Sequence, residues 1–292
     1  MPVSAYAIVL ISTFTHAYWN FVLKRAGGGS VFIGLSKIVE VVVFAPIFVW
    51  FVAVRRPPIE SSALFVFVGA ALVLVNYGAL DQAYRASELS LVYPVSRAGA
   101  LLFLPLLGYA ALGEHLSALG LTALGVIIAG IIALQLPSLT KESLVALGPK
   151  LRGRGVVFAL TAALAAAAYT VWDKRAVQIL PPFFYFYAYT ALVAAAYGAF
   201  LVRRNSFAQI RAEWKRRRWP IVQVGVMNTA TYMLVLFALR GGTSSYVIAV
   251  RQLSIVWGCL LGHRLLGEEL GAPRRIGIGL LVTGCALVAA TR

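Results

Sequence analysis

YRASELSLVYPVSRAGALLFLPLLGYAALGEHLS, residues 84–117, lies over ALRGGTSSYVIAVRQLSIVWGCLLGHRLLGEELG, residues 238–271, when the chain is shifted by 154 positions. Ser90 then meets Ser244, Arg97 meets Arg251, Gly108 meets Gly262 and Glu114 meets Glu268. Further on, Gly125 meets Gly279 and Gly130 meets Gly284. A shift of 150 places WNFVLKRA (19–26) over YTVWDKRA (169–176). Agreement at glycines, arginines and glutamates together marks an internal duplication.

Composition says what is duplicated. Hydrophobic residues fill 61% of the 292 positions and charged residues 12%, against roughly 45–50% and 25% in soluble domains. Mean hydropathy is +0.85. A water-soluble globule could not hide that much apolar surface. Ten apolar runs stand out, roughly 4–23, 31–53, 62–84, 88–111, 116–136, 154–173, 182–202, 219–239, 243–266 and 273–290. Each is close to the ~20 residues that cross a ~30 Å hydrocarbon core. The sequence thus predicts an all-α integral membrane protein with ten transmembrane helices. Residues 1–136 form a first five-span repeat, 137–153 a linker and 154–292 a second five-span repeat. Five is odd, so the second copy enters the membrane from the opposite side. The expected arrangement is two inverted five-helix repeats, with a binding site near the midplane where they meet. Alternating access follows if the halves exchange two similar conformations.

The formal charge of +16 would suggest nucleic acid in a soluble protein. Here the basic residues sit between apolar runs, so the expected partner is the lipid bilayer with its anionic headgroups, and no nucleic acid. Most of them fall on the side of the loops after spans one, three, five, seven and nine, including RAEWKRRRW (211–219). The positive-inside rule would make that side cytoplasmic and put both termini outside. Residues 1–10 lack a basic leader and run into the first span, which reads as a span and not a cleaved signal. Cys259 and Cys285 lie inside apolar runs and imply neither a disulfide nor a metal site. No Walker motif, metal spacing or interfacial catalytic constellation is present, so no cofactor, no ATP use and no enzyme activity are expected. Both repeats lie in one chain, so a monomer is expected to suffice.

HAYWNFVLKRAG (16–27), AYRASELSLVYPVSRAG (83–99) and LLGYAALGEHLSALGLTALGVIIAG (106–130), with its echo LLGHRLLGEELGAPRRIGIGLLVTG (260–284), carry a resemblance. The chain resembles the drug/metabolite transporter superfamily, most closely its ten-span EamA-type permeases. The resemblance implies a secondary permease of the bacterial inner membrane, often an exporter of amino acids or other small metabolites. It places both termini in the cytoplasm, opposite to the reading of the charges. Sugar-phosphate and nucleotide-sugar relatives carry basic residues in the corresponding spans. Small multidrug-resistance relatives use a glutamate in their first span, and this first span has none.

Arg97 and Arg251 are the sharpest candidates for substrate contact. Each lies roughly nine residues into its span, about 13 Å deep at ~1.5 Å per residue. An unpaired arginine there is costly, so each is either neutralised by protein groups or aimed at an anion in a cavity. Arg251, with Gln252 beside it, is the expected direct ligand, and Arg97, after Tyr93 and Pro94, sits on the helix expected to kink. Trp19, Asn20 and His16 in span one, Asn76 and Tyr77 in span three, Asn228 and Tyr232 in span eight, and Tyr93 are expected either to line the cavity or to bond neighbouring helices. Glu40, one turn after Lys37, is either a partner in a neutralised pair or a proton-coupling group. The cluster FFYFYAY (183–189) reads as an interfacial aromatic belt. ALTAALAAAAY (159–169), and Gly258 with Gly262, read as close helix packing. The function expected is export, driven by a proton or substrate gradient, of a small-molecule substrate bearing a carboxylate, amino acids first, with organic phosphates or phosphonates and multidrug or cation export as alternatives. Outside transport, the alternatives are a membrane enzyme or a lipid-handling scaffold.

Overall fold

The protein is described by a computed structural model covering residues 2–57, 59–138, 140, 142–143 and 151–291. No strand occurs among these residues. The helices are α1 (Val3–Arg25), α2 (Ser30–Arg55), α3 (Ile59–Ala86), α4 (Leu89–Leu112), α5 (Ala118–Ala133), α6 (Arg154–Ile179), α7 (Pro182–Arg204), α8 (Phe207–Gly241), α9 (Ser244–Arg251), α10 (Leu253–Leu266) and α11 (Ala272–Ala290). With α9 and α10 counted as one span, nine helices among the described residues are long and apolar enough to cross a membrane, and α5 is a shorter apolar helix. Large apolar side chains such as Val42, Trp50, Leu64 and Leu106 point outward, as a lipid-facing surface requires. The chain is a multi-pass membrane protein. Much of the expected linker, including Lys141 and Lys150, lies outside the described residues, as does Arg292.

The helices pair across the chain's middle. The first helix of each half packs on the third and fourth of the other. Thus α1 lies against α8, α9 and α10, and α6 lies against α3 and α4. Helix α2 packs on α7, and α5 on α11. Small residues make the tightest contacts possible. Ala159, Ala162, Ala163, Ala165 and Ala167 of α6 are buried, and a Cβ on Gly99 would come within 2.9 Å of Ala163. At the α5–α11 crossing, a Cβ on Gly130 would lie 3.0 Å from the Gly277 carbonyl oxygen, and one on Gly284 3.0 Å from that of Ala123. Gly258, by contrast, has open space around it, so it is not a packing glycine.

Several boundaries differ from expectation. RRNSFAQIRAEWKRRRW (203–219) was expected as a loop, but α8 begins at Phe207. Ser206 and Gln209 form a capping box, each side chain bonding the other's backbone N–H. The helix then bends at Arg217 (φ −133°, ψ 22°), three residues before Pro220, whose ring and missing N–H disturb the preceding turn. Helix α6 runs past 173, so Lys174 and Arg175 are helical. The proline kink expected in the fourth span does not interrupt α4, which contains Pro94 and Pro105. The break falls in the ninth span, at Gln252. Its N–H bonds Ala249 at 3.0 Å instead of Ile248, and its side-chain Nε2 takes the Ile248 carbonyl at 3.0 Å. The glutamine thus satisfies the acceptor that its own backbone has left.

Candidate substrate-binding site

Between the two halves lies a cavity of about 200 Å³, lined from α1 to α4 and from α6 to α10. Helices α5 and α11 contribute nothing to it. Its wall holds three cations, Lys37, Arg97 and Arg251, among Trp19, Tyr77, Tyr84, Tyr93, Tyr169, Phe186, Tyr189 and Tyr232. Neither arginine has an acidic side chain within ion-pair distance among the described residues. Arg97 lies over the Tyr93 ring, 5.4 Å from its centroid. Arg251 lies over the Tyr232 ring at 5.6 Å, and its Nη2 is 3.4 Å from His16 Nδ1. Arg251 Nε and Trp19 Nε1 are buried donors without a hydrogen-bond partner among the described residues. Orphan donors of this kind are expensive unless an acceptor arrives.

Of the residues singled out from sequence, Arg251, Arg97, Gln252, Trp19, His16, Asn76, Tyr77, Tyr93 and Tyr232 all line this one cavity, with Asn228. Asn76 also bonds the Ala162 carbonyl at 2.7 Å, tying α3 to α6. Asn20 does not reach the cavity. It is exposed, and its amide donates to the His16 carbonyl at 2.7 Å. Four residues turn a helix by about 400°, and the extra ~40° carries Asn20 off the lining face that His16 shares. Glu40 stands behind the wall, buried, accepting from Lys37 at 2.8 Å and Asn228 at 3.0 Å.

The expected aromatic belt at 183–189 is corrected. Phe184, Tyr185, Phe186 and Tyr189 are buried, and Phe186 and Tyr189 line the cavity. The run is aromatic on all sides because α7 packs inward between α2, α3 and α8. Sequence reasoning also missed Asp173. It is fully buried, accepting from Tyr185 at 2.6 Å and from the Tyr232 hydroxyl. The available signal was Tyr169 four residues earlier on the same helix, which lines the cavity.

Residues 153–290 match the EamA-like transporter family. The C-terminal half of the chain is EamA-like. Members of that family are transporters and not enzymes, and the match points to a drug or metabolite transporter. No curated protein matches the chain. Among solved structures, one titled "Crystal structure of protein" aligns over 99% of both chains with a TM-score of 0.76 at 16% identity, which is a likeness of fold. The EamA match covers residues 153–290, and the structural likeness spans 99% of the chain.

The EamA-like half and its partner carry matched devices at the ends of α4 and α10. Gly113 (φ 65°) and Gly267 (φ 68°) end α4 and α10 in left-handed turns that glycine accommodates best. The next residue's N–H closes each turn, Glu114 to the Gly108 carbonyl at 3.1 Å and Glu268 to that of Gly262 at 3.2 Å. Each carboxylate folds back so near its glycine that a Cβ there would lie 2.9 Å from Oε2. Lys174, on α6, then bridges to Glu114, and Lys24, on α1, bridges to Glu268. Lys24 and Lys174 are the positions matched by the shift of 150.

Proposed function

We propose that this protein is a secondary transporter of small metabolites bearing a carboxylate, amino acids first among them, working by alternating access of its central cavity. The carrying observation is the pair of arginines, Arg97 and Arg251, that reach one cavity without an acidic partner among the described residues. A guanidinium in a dry, aromatic wall suits a carboxylate through charge-assisted hydrogen bonds. The orphan donors Arg251 Nε and Trp19 Nε1 favour an acceptor-rich ligand. The exchange of helix contacts between the halves and the matched bridges favour two inverted copies that alternate.

Organic phosphates are the second reading, because two arginines in one cavity also suit a dianion. Multidrug cations fit poorly, since Lys37, Arg97 and Arg251 give the lining the wrong sign. The test is counterflow in proteoliposomes loaded with a labelled amino-acid mixture, with organic phosphates and lipophilic cations as competitors. Amino-acid counterflow supports the reading. Competition by phosphates alone moves it to the second, and competition by cations alone overturns both.

A further inference from the structure

We infer that Asp173 is a proton-binding site of the transport cycle, loaded together with an anion at Arg251. This rests on the anion-site reading above. Among the described residues, two acids lie buried within helices, and the structure treats them differently. Glu40 has Lys37 at 2.8 Å as its cation. Asp173, with no exposure, has no Lys or Arg within ion-pair distance among the described residues. Its two oxygens accept only from neutral phenols, Oδ1 from Tyr185 and Oδ2 from Tyr232. A buried charge without an ion pair is costly. Taking up a proton is the remaining way to remove it.

Position gives that proton a role. Tyr232 lines the cavity and its ring carries the Arg251 guanidinium, so Asp173 is one side chain away from the candidate anion site. The next residue, Lys174, makes the buried bridge to Glu114. Asp173 therefore adjoins, through Tyr232, the cavity and, along α6, the residue that makes this bridge. The ionisable groups around it are Tyr169 on its own helix, Tyr185 and Tyr189 on α7, Tyr232 on α8 and Arg251 on α9. Helices α3 and α4 bring Tyr77 and Arg97 to the cavity, and neither shares a described hydrogen bond with Asp173. Among the described residues, Arg251 is the cation whose charge acts on Asp173, without a hydrogen bond between them.

An anion arriving on Arg251 occupies that cation and leaves Asp173 as a second negative charge in the same dry region. A hydronium ion from bulk solvent gives its proton to Asp173 Oδ2, which cancels the charge and leaves water, and the Tyr232 hydroxyl ceases to donate there. Deprotonation reverses the step. Linkage is reciprocal, so the proton strengthens anion binding by the factor with which the anion strengthens proton binding. Anion and proton then cross together.

Infrared difference spectroscopy on the full chain in lipid nanodiscs tests the site without any substrate. Between about pH 5 and pH 9, across which an uncompensated buried carboxyl can titrate, the protein should show a protonated-carboxyl C=O band that grows as pH falls. The band should be lost in Asp173→Asn and kept in Glu40→Gln. Tyr185→Phe, which leaves the cavity lining intact, should move its midpoint to higher pH. This second variant decides the matter if Asp173→Asn does not fold. A band unchanged in both Asp173→Asn and Tyr185→Phe overturns the proposal. Benzoate, a carboxylate with a flat ring, is the probe for linkage and should increase the band at fixed pH. Benzoate that binds by calorimetry without changing the band also overturns it. Failure of benzoate and every other carboxylate to bind counts against the anion site, while the titration still judges Asp173.

Discussion

Glu114 and Glu268 follow their helices in the same kind of turn, fold back on matched glycines, Gly108 and Gly262, and reach for the matched lysine of the other half, yet they sit in different surroundings. The Lys174–Glu114 side chains are 17% and 9% exposed, and the Lys24–Glu268 side chains 63% and 33%. Glu114 also receives the Ser244 N–H at 2.8 Å and its hydroxyl at 2.6 Å, so it caps the start of α9. Lys174 adds the Gly242 carbonyl at 2.7 Å. The Glu268 carboxylate has beyond Lys24 only the Arg274 guanidinium, at 4.0 Å, among its described partners, while the His263 ring bonds the Glu268 backbone carbonyl at 2.7 Å. Duplicated residues thus fix a duplicated turn, while the packing around it fixes whether the bridge is locked or loose. In the alternating-access reading proposed above, these bridges are the gates of the cavity's two mouths, the Glu114 mouth shut and the Glu268 mouth open.

The largest effect is expected from breaking the locked bridge. Glu114→Gln leaves Lys174 nearly buried without its counter-charge and weakens the α9 cap. Removing one partner of a buried pair costs about 3–5 kcal/mol. Unfolding in detergent should show that loss, and a cysteine placed at Gly242 should label faster with an impermeant thiol reagent. A loss below about 1 kcal/mol would place this bridge with exposed pairs and remove the asymmetry.

The two arginines sharpen the comparison within the cavity. Arg251 has an orphan Nε and stands at the break before Gln252, whereas Arg97 lies within the continuous α4. Arg251→Ala should lose about 2 kcal/mol or more of affinity for the transported anion, the scale of a charge-assisted hydrogen bond in a dry site. Arg251→Lys should recover only part, because the planar fork is gone. Arg97→Ala should mainly lower folded yield or transport rate. Equal affinity in Arg251→Ala and the parent protein, measured on purified protein, would end the assignment.

What the sequence disclosed follows the length scale of the interaction. Apolar runs and the repeat are set by the bilayer and by residue identity, so the spans and the matched Arg97 and Arg251 were legible. Lining residues such as His16 and Asn76 were legible because polar groups in apolar helices must find protein or water. Asp173 was not, since its partners Tyr185 and Tyr232 come from other helices and no local spacing encodes them. The direction in which 183–189 faces was hidden because an aromatic run looks the same at an interface and in a core. The break at Gln252 was hidden because prolines in α4 drew attention to the wrong repeat, while a side-chain amide can cap a carbonyl as well as a proline can free one.

That break supplies the next prediction. Gln252→Ala removes the amide that satisfies the Ile248 carbonyl. Either the carbonyl stays unpaired, or the ninth span closes into one continuous helix and turns Arg251 away from the Tyr232 ring. A stability loss of about 1 kcal/mol is expected in the first case. Gln252→Leu, which also lacks the amide donor, should behave like the alanine variant. Unchanged stability and anion affinity in both would show that the amide does not hold the break.

The smallest effect belongs to the open mouth. Lys24 is mostly exposed and Glu268 partly so, and pairs of that kind contribute about 0–1 kcal/mol because water and salt screen them. Glu268→Gln should therefore change unfolding stability by less than about 1 kcal/mol, and the small change should fade further as salt rises. Its effect on transport should be larger than its effect on stability. The matched turn predicts that the Glu268 mouth closes with the contacts Glu114 already makes, and only the closed form would need that carboxylate. Transport by Glu268→Gln should be slow while equilibrium anion binding stays near normal, the reverse of the pattern for Arg251→Ala. Wild-type transport rates in Glu268→Gln would show that the second mouth closes without its glutamate, and that the likeness of the two turns stops at the backbone.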